Sequence, residues 1–284
     1  MRVVPSGGVL GARIEACDLR QPLAAGEVAA IRQALADHAV LCFPGQSLAP
    51  AELAAFGARF GALEINVAST NYQVPDHPQV MVLSNVLVNG APVGLADAGQ
   101  GWHTDLSYSR EIALATVLHA KEVPVRDGCA LGNTEFRDMR AAYDDLEPAV
   151  KARIEGRAAV HDFAKFWDMM RARPGSRRAA LTAAQQARKP PATQPLVRVH
   201  PLSGRRVLYC NPGYAMRIEG MAPAESDALL ALLFRHQEQP QYLWAHRWTV
   251  GDVLMWDDIA TTHNAVADYG PDETRFMYRV QVLA

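Results

Sequence analysis

A histidine and an aspartate separated by one residue form the part of the sequence best suited to chemistry. They are His103 and Asp105, in the run Trp102-His103-Thr104-Asp105. On an extended chain the side chains of residues i and i+2 point the same way, so both could reach one metal ion. Two ligands hold a metal weakly, so a further ligand from a distant segment is expected.

The C-terminal part of the chain supplies a candidate for that ligand. His263 follows a strand pattern at 253–256 and precedes another that begins at Arg275. With His103 and Asp105 it would form a triad of two histidines and one carboxylate, which leaves metal positions open for a co-substrate and dioxygen. Such a facial triad is typical of non-haem iron(II) oxygenases. The residues therefore predict an iron(II) site.

Two arginines after His263 could bind anions. In an alternating strand, Arg275, Met277 and Arg279 lie on one face. An arginine that points into an apolar interior is costly as a purely structural element. A guanidinium pairs bidentately with a carboxylate or sulfonate, so both arginines are interpreted as clamps for anionic ligands.

Short strands and few helices predict the fold that positions these residues. Helices are predicted at 27–39, 51–60, 137–146 and 224–236, and strands at 40–43, 80–83, 113–120, 247–250, 253–256 and 275–283. The helical segments carry apolar residues three or four apart, and the strands are short apolar or alternating runs. This pattern favours a double-sheet jelly roll over a doubly wound parallel sheet.

Chain length and net charge limit the number of domains and the kinds of partner to be expected. The 284 residues are enough for one core and do not require two domains, so residues 1–284 are predicted to form a single domain. The net charge of −2 gives no reason to expect a nucleic-acid or membrane partner. The N-terminus lacks the apolar core of a signal peptide and no apolar run approaches the ~20 residues of a membrane helix, so a cytoplasmic protein is expected.

Basic residues outnumber acidic ones between about 162 and 195. We interpret this segment as a basic insert, either a solvated excursion or a helical arm. The alternative is a mobile lid that attracts anionic substrates toward a pocket.

The cysteines and the other histidines show no metal-binding spacing. Without a C-x-x-C pair, the cysteines are predicted to be reduced and partly used as small core residues, and a structural zinc site is not expected. They are Cys17, Cys42, Cys129 and Cys210. The remaining histidines are predicted to lie at the surface or in hydrogen bonds, and they are His38, His77, His119, His161, His200, His236 and His246.

Segments spread along almost the whole chain carry a family resemblance. They are 10–14, 57–61, 102–105, 132–143, 200–205 and 256–258, followed by His263 and the paired arginines. In these segments the sequence resembles the family of taurine dioxygenase and 2,4-dichlorophenoxyacetate (aryloxyalkanoate) dioxygenase. The resemblance implies a mostly β fold with flanking helices around a double-stranded β-helix (jelly-roll) core. It also implies Fe(II) held by His103, Asp105 and His263, with 2-oxoglutarate and O2 as co-substrates, and a dimer or larger homo-oligomer.

The resemblance further assigns roles to the anion-binding residues. Arg275 matches the arginine that binds the distal carboxylate of 2-oxoglutarate, and Thr134 matches the threonine beside it. The loop before Thr134 is about four residues longer than usual, and an ungapped match would place Ala130 there. The intact T-E-F-x-D-M-R-A-A-Y pattern favours Thr134. Arg279 matches a second arginine, which meets the anionic group of the prime substrate or supports the co-substrate.

The prime substrate is predicted to be a small organic anion. Taurine enzymes carry a substrate-binding histidine near position 66, where this chain has Asn66. An aryloxyalkanoate-like carboxylate is therefore favoured, with a sulfonate such as taurine or an alkyl sulfate as the alternative. Asn66, Tyr108 and Arg279 are predicted to line the substrate pocket. Hydroxylation of a carbon next to oxygen, nitrogen or sulfur would give an unstable product. Cleavage of the bond between that carbon and the heteroatom would then release, for example, a phenol or sulfite.

Two functions of another class share parts of this pattern. A non-catalytic jelly-roll protein that binds metal or ligand would be expected to lose a metal ligand or Arg275, whereas this chain keeps them. A zinc hydrolase could use the same three ligands, but it would not explain the two arginines on one strand. A halogenase would need the position of Asp105 vacated for chloride.

Overall fold

Most of the regular structure is β-strand. The computed structural model describes residues 1–66, 70–173, 176 and 178–284. Its strands are β1 (Arg2–Pro5), β2 (Ala12–Glu15), β3 (Val40–Phe43), β4 (Gln73–Val74), β5 (His77–Ser84), β6 (Leu87–Val88), β7 (Ala91–Pro92), β8 (Ala113–Glu122), β9 (Val125–Arg126), β10 (Cys129–Ala130), β11 (Thr134–Asp138), β12 (Ala158–His161), β13 (Ala192–Pro195), β14 (Val197–Val199), β15 (Arg206–Leu208), β16 (Ala215–Ile218), β17 (Leu243–His246), β18 (Val253–Asp257), β19 (Thr261–Ala265) and β20 (Phe276–Leu283).

The described helices are fewer than the strands. They are α1 (Ala25–His38), α2 (Pro50–Gly57), α3 (Met139–Asp144), α4 (Pro148–Ile154), α5 (Phe163–Arg171), α6 (Ala183–Arg188) and α7 (Pro223–Gln237). None of these helices is long and apolar enough to cross a membrane.

The main sheet has eight strands in the order β1-β2-β3-β18-β8-β20-β5-β4. Neighbouring strands are antiparallel, except that β2 and β3 are parallel. Its register places Leu254 between Cys42 and Leu118, with Arg279 opposite Leu118 on the far side. Directly paired residues share one face of a sheet, so these four side chains form a row across the main sheet.

A three-stranded sheet, β17-β11-β19, packs against that face. Its Phe136 and the nearby Trp248 belong to the same apolar cluster as Leu118, Leu254 and Met277 of the main sheet. The opposite face of the main sheet is covered by α1 and α2, whose buried side chains pack on β3, β18 and β20. Two facing sheets with helices outside are the jelly-roll arrangement predicted from the sequence.

Two predicted elements differ from the structure. Residues 134–138 form β11, so the helix predicted to start at 137 begins only at Met139, where the Asp138 carboxylate caps it. The predicted strand at 247–250 is wrong, because the strand is Leu243–His246 and a turn follows it. In both cases pairing within the small sheet decides the outcome, and a local pattern does not report such pairing. His263 lies within strand β19.

The described part of the basic segment at 162–195 is folded onto the domain. It contains α5, α6 and β13, and Phe166 and Met170 of α5 are buried. By contrast, α6 buries no residue. Arg178 pairs with Asp97 at 2.7 Å. Positions 174, 175 and 177 of this segment lie outside the described residues, so the interpretation as an insert or lid stays a prediction.

Candidate active site

The three predicted metal ligands converge in the interior. His103, Asp105 and His263 each offer one ligand atom, and these atoms all lie within 4.8 Å of one another. The His103 Nε2 is 3.5 Å from Asp105 Oδ1, and the His263 Nε2 is 3.9 Å from Asp105 Oδ2. All three side chains are buried. Two imidazoles and one carboxylate at this spacing suit a divalent transition metal, so the residues present fit an iron(II) site.

The backbone explains why the two histidines meet. The N–H of each donates to the carbonyl of the other, at 3.1 Å from His103 and 2.8 Å from His263. This isolated bridge between residues 160 positions apart places both rings side by side, with centroids 4.2 Å apart. The chain from His103 to Asp105 is not the continuous strand predicted from the sequence. Asp105 instead begins a turn, so the bridge and the turn together bring the carboxylate to the histidines.

Hydrogen bonding orients one imidazole, and burial keeps the other neutral. The His103 Nδ1 lies 2.7 Å from the Gly101 carbonyl and donates there, so Nε2 is the atom that faces Asp105 and would bind a metal. Burial, followed by the neighbouring His103, lowers the pKa of His263 to about 3. His263 is therefore neutral at ordinary pH, as metal ligation requires.

The carboxylate ligand is held ionised. Burial alone would raise the pKa of Asp105, but the hydrogen bond with His103 and the charge of Arg279 outweigh it and hold the pKa below the usual range. The Thr116 hydroxyl lies 3.0 Å from Asp105 Oδ2. Asp105 is thus a charged ligand fixed by a neighbouring strand.

A second buried carboxyl group supports this arrangement. Asp258 lies behind Thr116, whose hydroxyl oxygen is 2.7 Å from Asp258 Oδ2, and the Trp256 indole N–H donates to Asp258 Oδ1 at 3.0 Å. Burial, together with the charge of Asp105, raises the pKa of Asp258 well above its usual range. A threonine hydroxyl has one proton, so we infer that it donates to Asp105 and accepts from the neutral acid of Asp258.

Thr116→Val should weaken metal binding by about tenfold, because it removes the hydroxyl that orients Asp105 and keeps the side-chain volume. Titration of the metal-free protein with Mn(II) or anaerobic Fe(II) measures the change. Thr262→Val is the matched control, since its hydroxyl is buried and has no hydrogen-bond partner among the described residues. Equal affinities in the two variants would exclude the orienting role of Thr116.

Arg275 is a buried cation without a counter-charge. It is 5% exposed, no described Asp or Glu forms an ion pair with it, and its Nε has no hydrogen-bond partner in the described part of the chain. Burial lowers its pKa, and the neighbouring Tyr269 side chain partly opposes this. Because a guanidinium stays charged even when buried, its environment fits an anionic ligand such as a carboxylate.

The two candidates for the co-substrate threonine lie in different elements. Thr134 is buried in β11, directly opposite Ala265 of the strand that carries His263. The Trp248 indole N–H donates to its hydroxyl at 3.0 Å. Ala130 lies instead in the separate hairpin formed by β9 and β10.

A cavity next to the metal ligands is walled by aromatic rings. His103 and Asp105 line it, and so do the predicted substrate residues Asn66, Tyr108 and Arg279. The aromatic side chains that line it are Tyr108, Phe163, Phe166, Trp167 and Tyr214. The Arg279 Nη1 is 3.9 Å from Asp105 Oδ2. The structure thus brings the predicted substrate residues together around the candidate metal site.

Several residues of the site were not identified from the sequence. Thr116 and Asp258 support Asp105, and Phe166 packs its ring 5.0 Å from that of His103. The apolar spacing of Phe163, Phe166 and Met170 within the basic segment could have indicated an inward-facing helix. No comparable signal exists for Thr116, because its role depends on strand register.

Comparison with known proteins gives consistent matches over almost the whole chain. The sequence model of the Taurine catabolism dioxygenase TauD, TfdA family matches residues 2–281. An alpha-ketoglutarate-dependent 2,4-dichlorophenoxyacetate dioxygenase of Cupriavidus pinatubonensis is 35% identical over 270 residues, which is 91% of this chain and 90% of that protein. Pentalenolactone F synthase of Streptomyces arenae is 31% identical, over 99% of this chain and 94% of that protein. The crystal structure of AAD-2 in complex with Mn(II) and N-oxalylglycine superposes with a TM-score of 0.83 at 29% identity, covering 100% of this chain and 98% of that one.

Proposed function

The chain belongs to the TauD, TfdA family of dioxygenases, and from this premise we propose that it hydroxylates a small organic anion held beside His103, Asp105 and His263. It is a 2-oxoglutarate-dependent non-haem iron dioxygenase that uses Fe(II), 2-oxoglutarate and O2. When bound, the iron supplies the oxidative chemistry that converts 2-oxoglutarate to succinate and hydroxylates a substrate C–H. The observation that carries the proposal is the buried convergence of two histidines and one ionised carboxylate.

Within this proposal the chain's own residues bind and orient the reactants. Arg275 binds the distal carboxylate of 2-oxoglutarate, because it is a buried guanidinium with no protein counter-charge among the described residues. Thr134 lies beside that end, and its position in the strand next to β19 supports it over Ala130. The aromatic rings that line the cavity exclude water from the reacting carbon.

The lining of the cavity supports an aromatic carboxylate as prime substrate. Phe163, Phe166 and Trp167 of α5 offer ring faces and edges, and Arg279 offers a charge on the side of Asp105. A ring between aromatic walls and a carboxylate on an arginine are both favourable contacts. The Cupriavidus relative is a 2,4-dichlorophenoxyacetate dioxygenase, which fits the same chemistry. We therefore favour an aryloxyalkanoate-like carboxylate, with a sulfonate such as taurine or an alkyl sulfate as the second candidate.

Arg279→Ala should lower substrate-stimulated succinate production by about tenfold or more. A charge-assisted hydrogen bond is worth ~1.5–3 kcal/mol, and ~1.4 kcal/mol is one factor of ten. Succinate release with and without prime substrate measures the effect, and Arg279→Lys should recover part of it by restoring the charge.

A structural role for Arg279 would give a different result, because it also lies near Asp105. The Arg279→Ala variant should still bind 2-oxoglutarate, seen as the metal-to-ligand charge-transfer band under anaerobic conditions. Loss of that band would assign Arg279 to the co-substrate. Equal turnover of neutral and anionic substrates by the unmodified protein would rule out the clamp.

A succinate-release screen tests the substrate class directly. It compares aryloxyalkanoates, sulfonates, alkyl sulfates and amino-acid derivatives, each against a neutral amide of the same carbon skeleton. We expect the aryloxyalkanoates to stimulate succinate release most. Stimulation by sulfonates or sulfates alone would select the second candidate, and no stimulation by any anion would contradict the proposed substrate class.

The remaining features of the proposal concern the protein as a whole. We propose a single dioxygenase domain over residues 1–284, in which the basic insert at about 162–195 contributes α5 to the substrate cavity. We also propose a cytoplasmic location. The protein is proposed to form a dimer or larger homo-oligomer and to bind neither nucleic acid nor membrane.

A further inference from the structure

A second group of metal-ligating side chains lies apart from the candidate iron ligands and shares no residue with them. The Cys42 thiol, the His246 imidazole and the Asp252 carboxylate offer ligand atoms that all lie within 4.8 Å of one another. All three are buried, at 7%, 8% and 5% exposure. In the described part of the chain, only this group and the candidate iron ligands bring three such side chains so close.

The fold assembles this group from three separate segments. Cys42 lies in β3 of the main sheet, and Asp252 comes directly before β18, the strand that pairs with β3. His246 is the last residue of β17 in the small sheet. The group therefore joins the two facing sheets, and its members are too far apart in sequence to form a recognisable motif.

Asp252 is the centre of the group. Its Oδ2 lies 3.1 Å from the His246 Nε2 and accepts the Thr249 backbone N–H at 2.9 Å. The Cys42 Sγ lies within 4.8 Å of the ligand atoms of both Asp252 and His246. Burial, followed by the charge of Asp252, raises the pKa of Cys42 to about 12, so the thiol is protonated in the absence of a metal. The thiol and the imidazole thus lie beside one buried carboxylate.

We propose that Cys42, His246 and Asp252 form a second metal site, one that takes Zn²⁺ or another divalent ion with affinity for sulfur. Thiolate, imidazole and carboxylate are the three ligand types that zinc takes in proteins, and a water molecule would complete a tetrahedral shell. Binding replaces the thiol proton of Cys42 by the metal and releases that proton to solvent. The facial triad has no sulfur ligand, so the two sites differ in metal preference.

This site lies beside Thr134 of the small sheet, the residue proposed to bind 2-oxoglutarate. His246 is paired directly with Thr134 in β11, and its ring packs edge-on against Trp248 at a centroid distance of 4.8 Å. The Trp248 indole donates to the Thr134 hydroxyl. Metal binding by these three side chains is independent of the proposed oxygenase function.

Cobalt(II) titration of the full-length, metal-free protein tests the proposal, because cobalt bound to thiolate gives a sulfur-to-metal charge-transfer band in the near ultraviolet. We expect this band in the unmodified protein, and we expect Zn²⁺ but not Mg²⁺ to displace the cobalt and remove it. The band should persist in His103→Ala, where the facial triad is broken. It should also persist in Cys210→Ser, a change at another buried cysteine that belongs to neither group.

Cys42→Ser should remove the band and raise the zinc dissociation constant at least tenfold, while one equivalent of cobalt still binds at the facial triad. Should Cys42→Ser fail to fold, as judged by circular dichroism, His246→Gln gives the same comparison. No charge-transfer band in the unmodified protein at saturating cobalt would overturn the proposal. So would a band that survives in both the Cys42 and the His246 variants.

Discussion

Replacing His263 with alanine should abolish tight iron(II) binding and reduce succinate production to the background level. The change leaves one imidazole and one carboxylate, and two protein ligands hold iron weakly. The His263 ring is buried beside that of His103, so no other described side chain is placed to substitute for it. Asp105→Ala should have the same effect, because the only carboxylate of the triad is then lost.

Metal content and succinate release measure this prediction together. His77→Ala is a suitable control, since His77 lies at the start of β5 and belongs to neither group of metal-ligating side chains. Full activity in the His263→Ala protein would remove the metal assignment altogether.

Arg275→Gln should raise the KM for 2-oxoglutarate by roughly ten- to a hundredfold or more. A buried guanidinium paired with a carboxylate contributes ~1.5–3 kcal/mol or more, and each ~1.4 kcal/mol is a factor of ten. The effect should fall on KM, while kcat at saturating 2-oxoglutarate and the affinity for metal change little, since Arg275 is not among the metal-ligating groups.

A steady-state titration of 2-oxoglutarate measures the change. Arg126→Gln is a matched control, because Arg126 pairs with Glu273 in the turn before Arg275 but is itself exposed. An unchanged KM in Arg275→Gln, or an equal rise in both variants, would show that Arg275 is misassigned.

The family, the fold class and the reaction class could be predicted from the sequence and are confirmed by the comparisons. They could be predicted because the relevant signals are local. The pair His103 and Asp105 and the alternation from Arg275 to Arg279 are short patterns with a direct chemical meaning. The assignment of individual site residues stays a prediction, which the variants above address.

Other features depend on contacts that no local pattern reports. Residues 137 and 138 begin a segment with helical spacing, but they lie in β11 because strands pair with β11 on both sides. The roles of Thr116 and Asp258 follow from the register that places them behind Asp105. Likewise, Cys42 and His246 lack ligand spacing in the sequence and meet only when the two sheets face each other.

Anaerobic addition of Fe(II) and 2-oxoglutarate tests the central claim most directly, because the metal-to-ligand charge-transfer band forms only when both bind at one centre. We predict the band in the unmodified protein, its loss in His263→Ala, and its recovery in Arg275→Gln only at higher 2-oxoglutarate concentrations. Absence of the band in the unmodified protein at saturating Fe(II) and 2-oxoglutarate, or an undiminished band in His263→Ala, would contradict the assignment of iron to His103, Asp105 and His263.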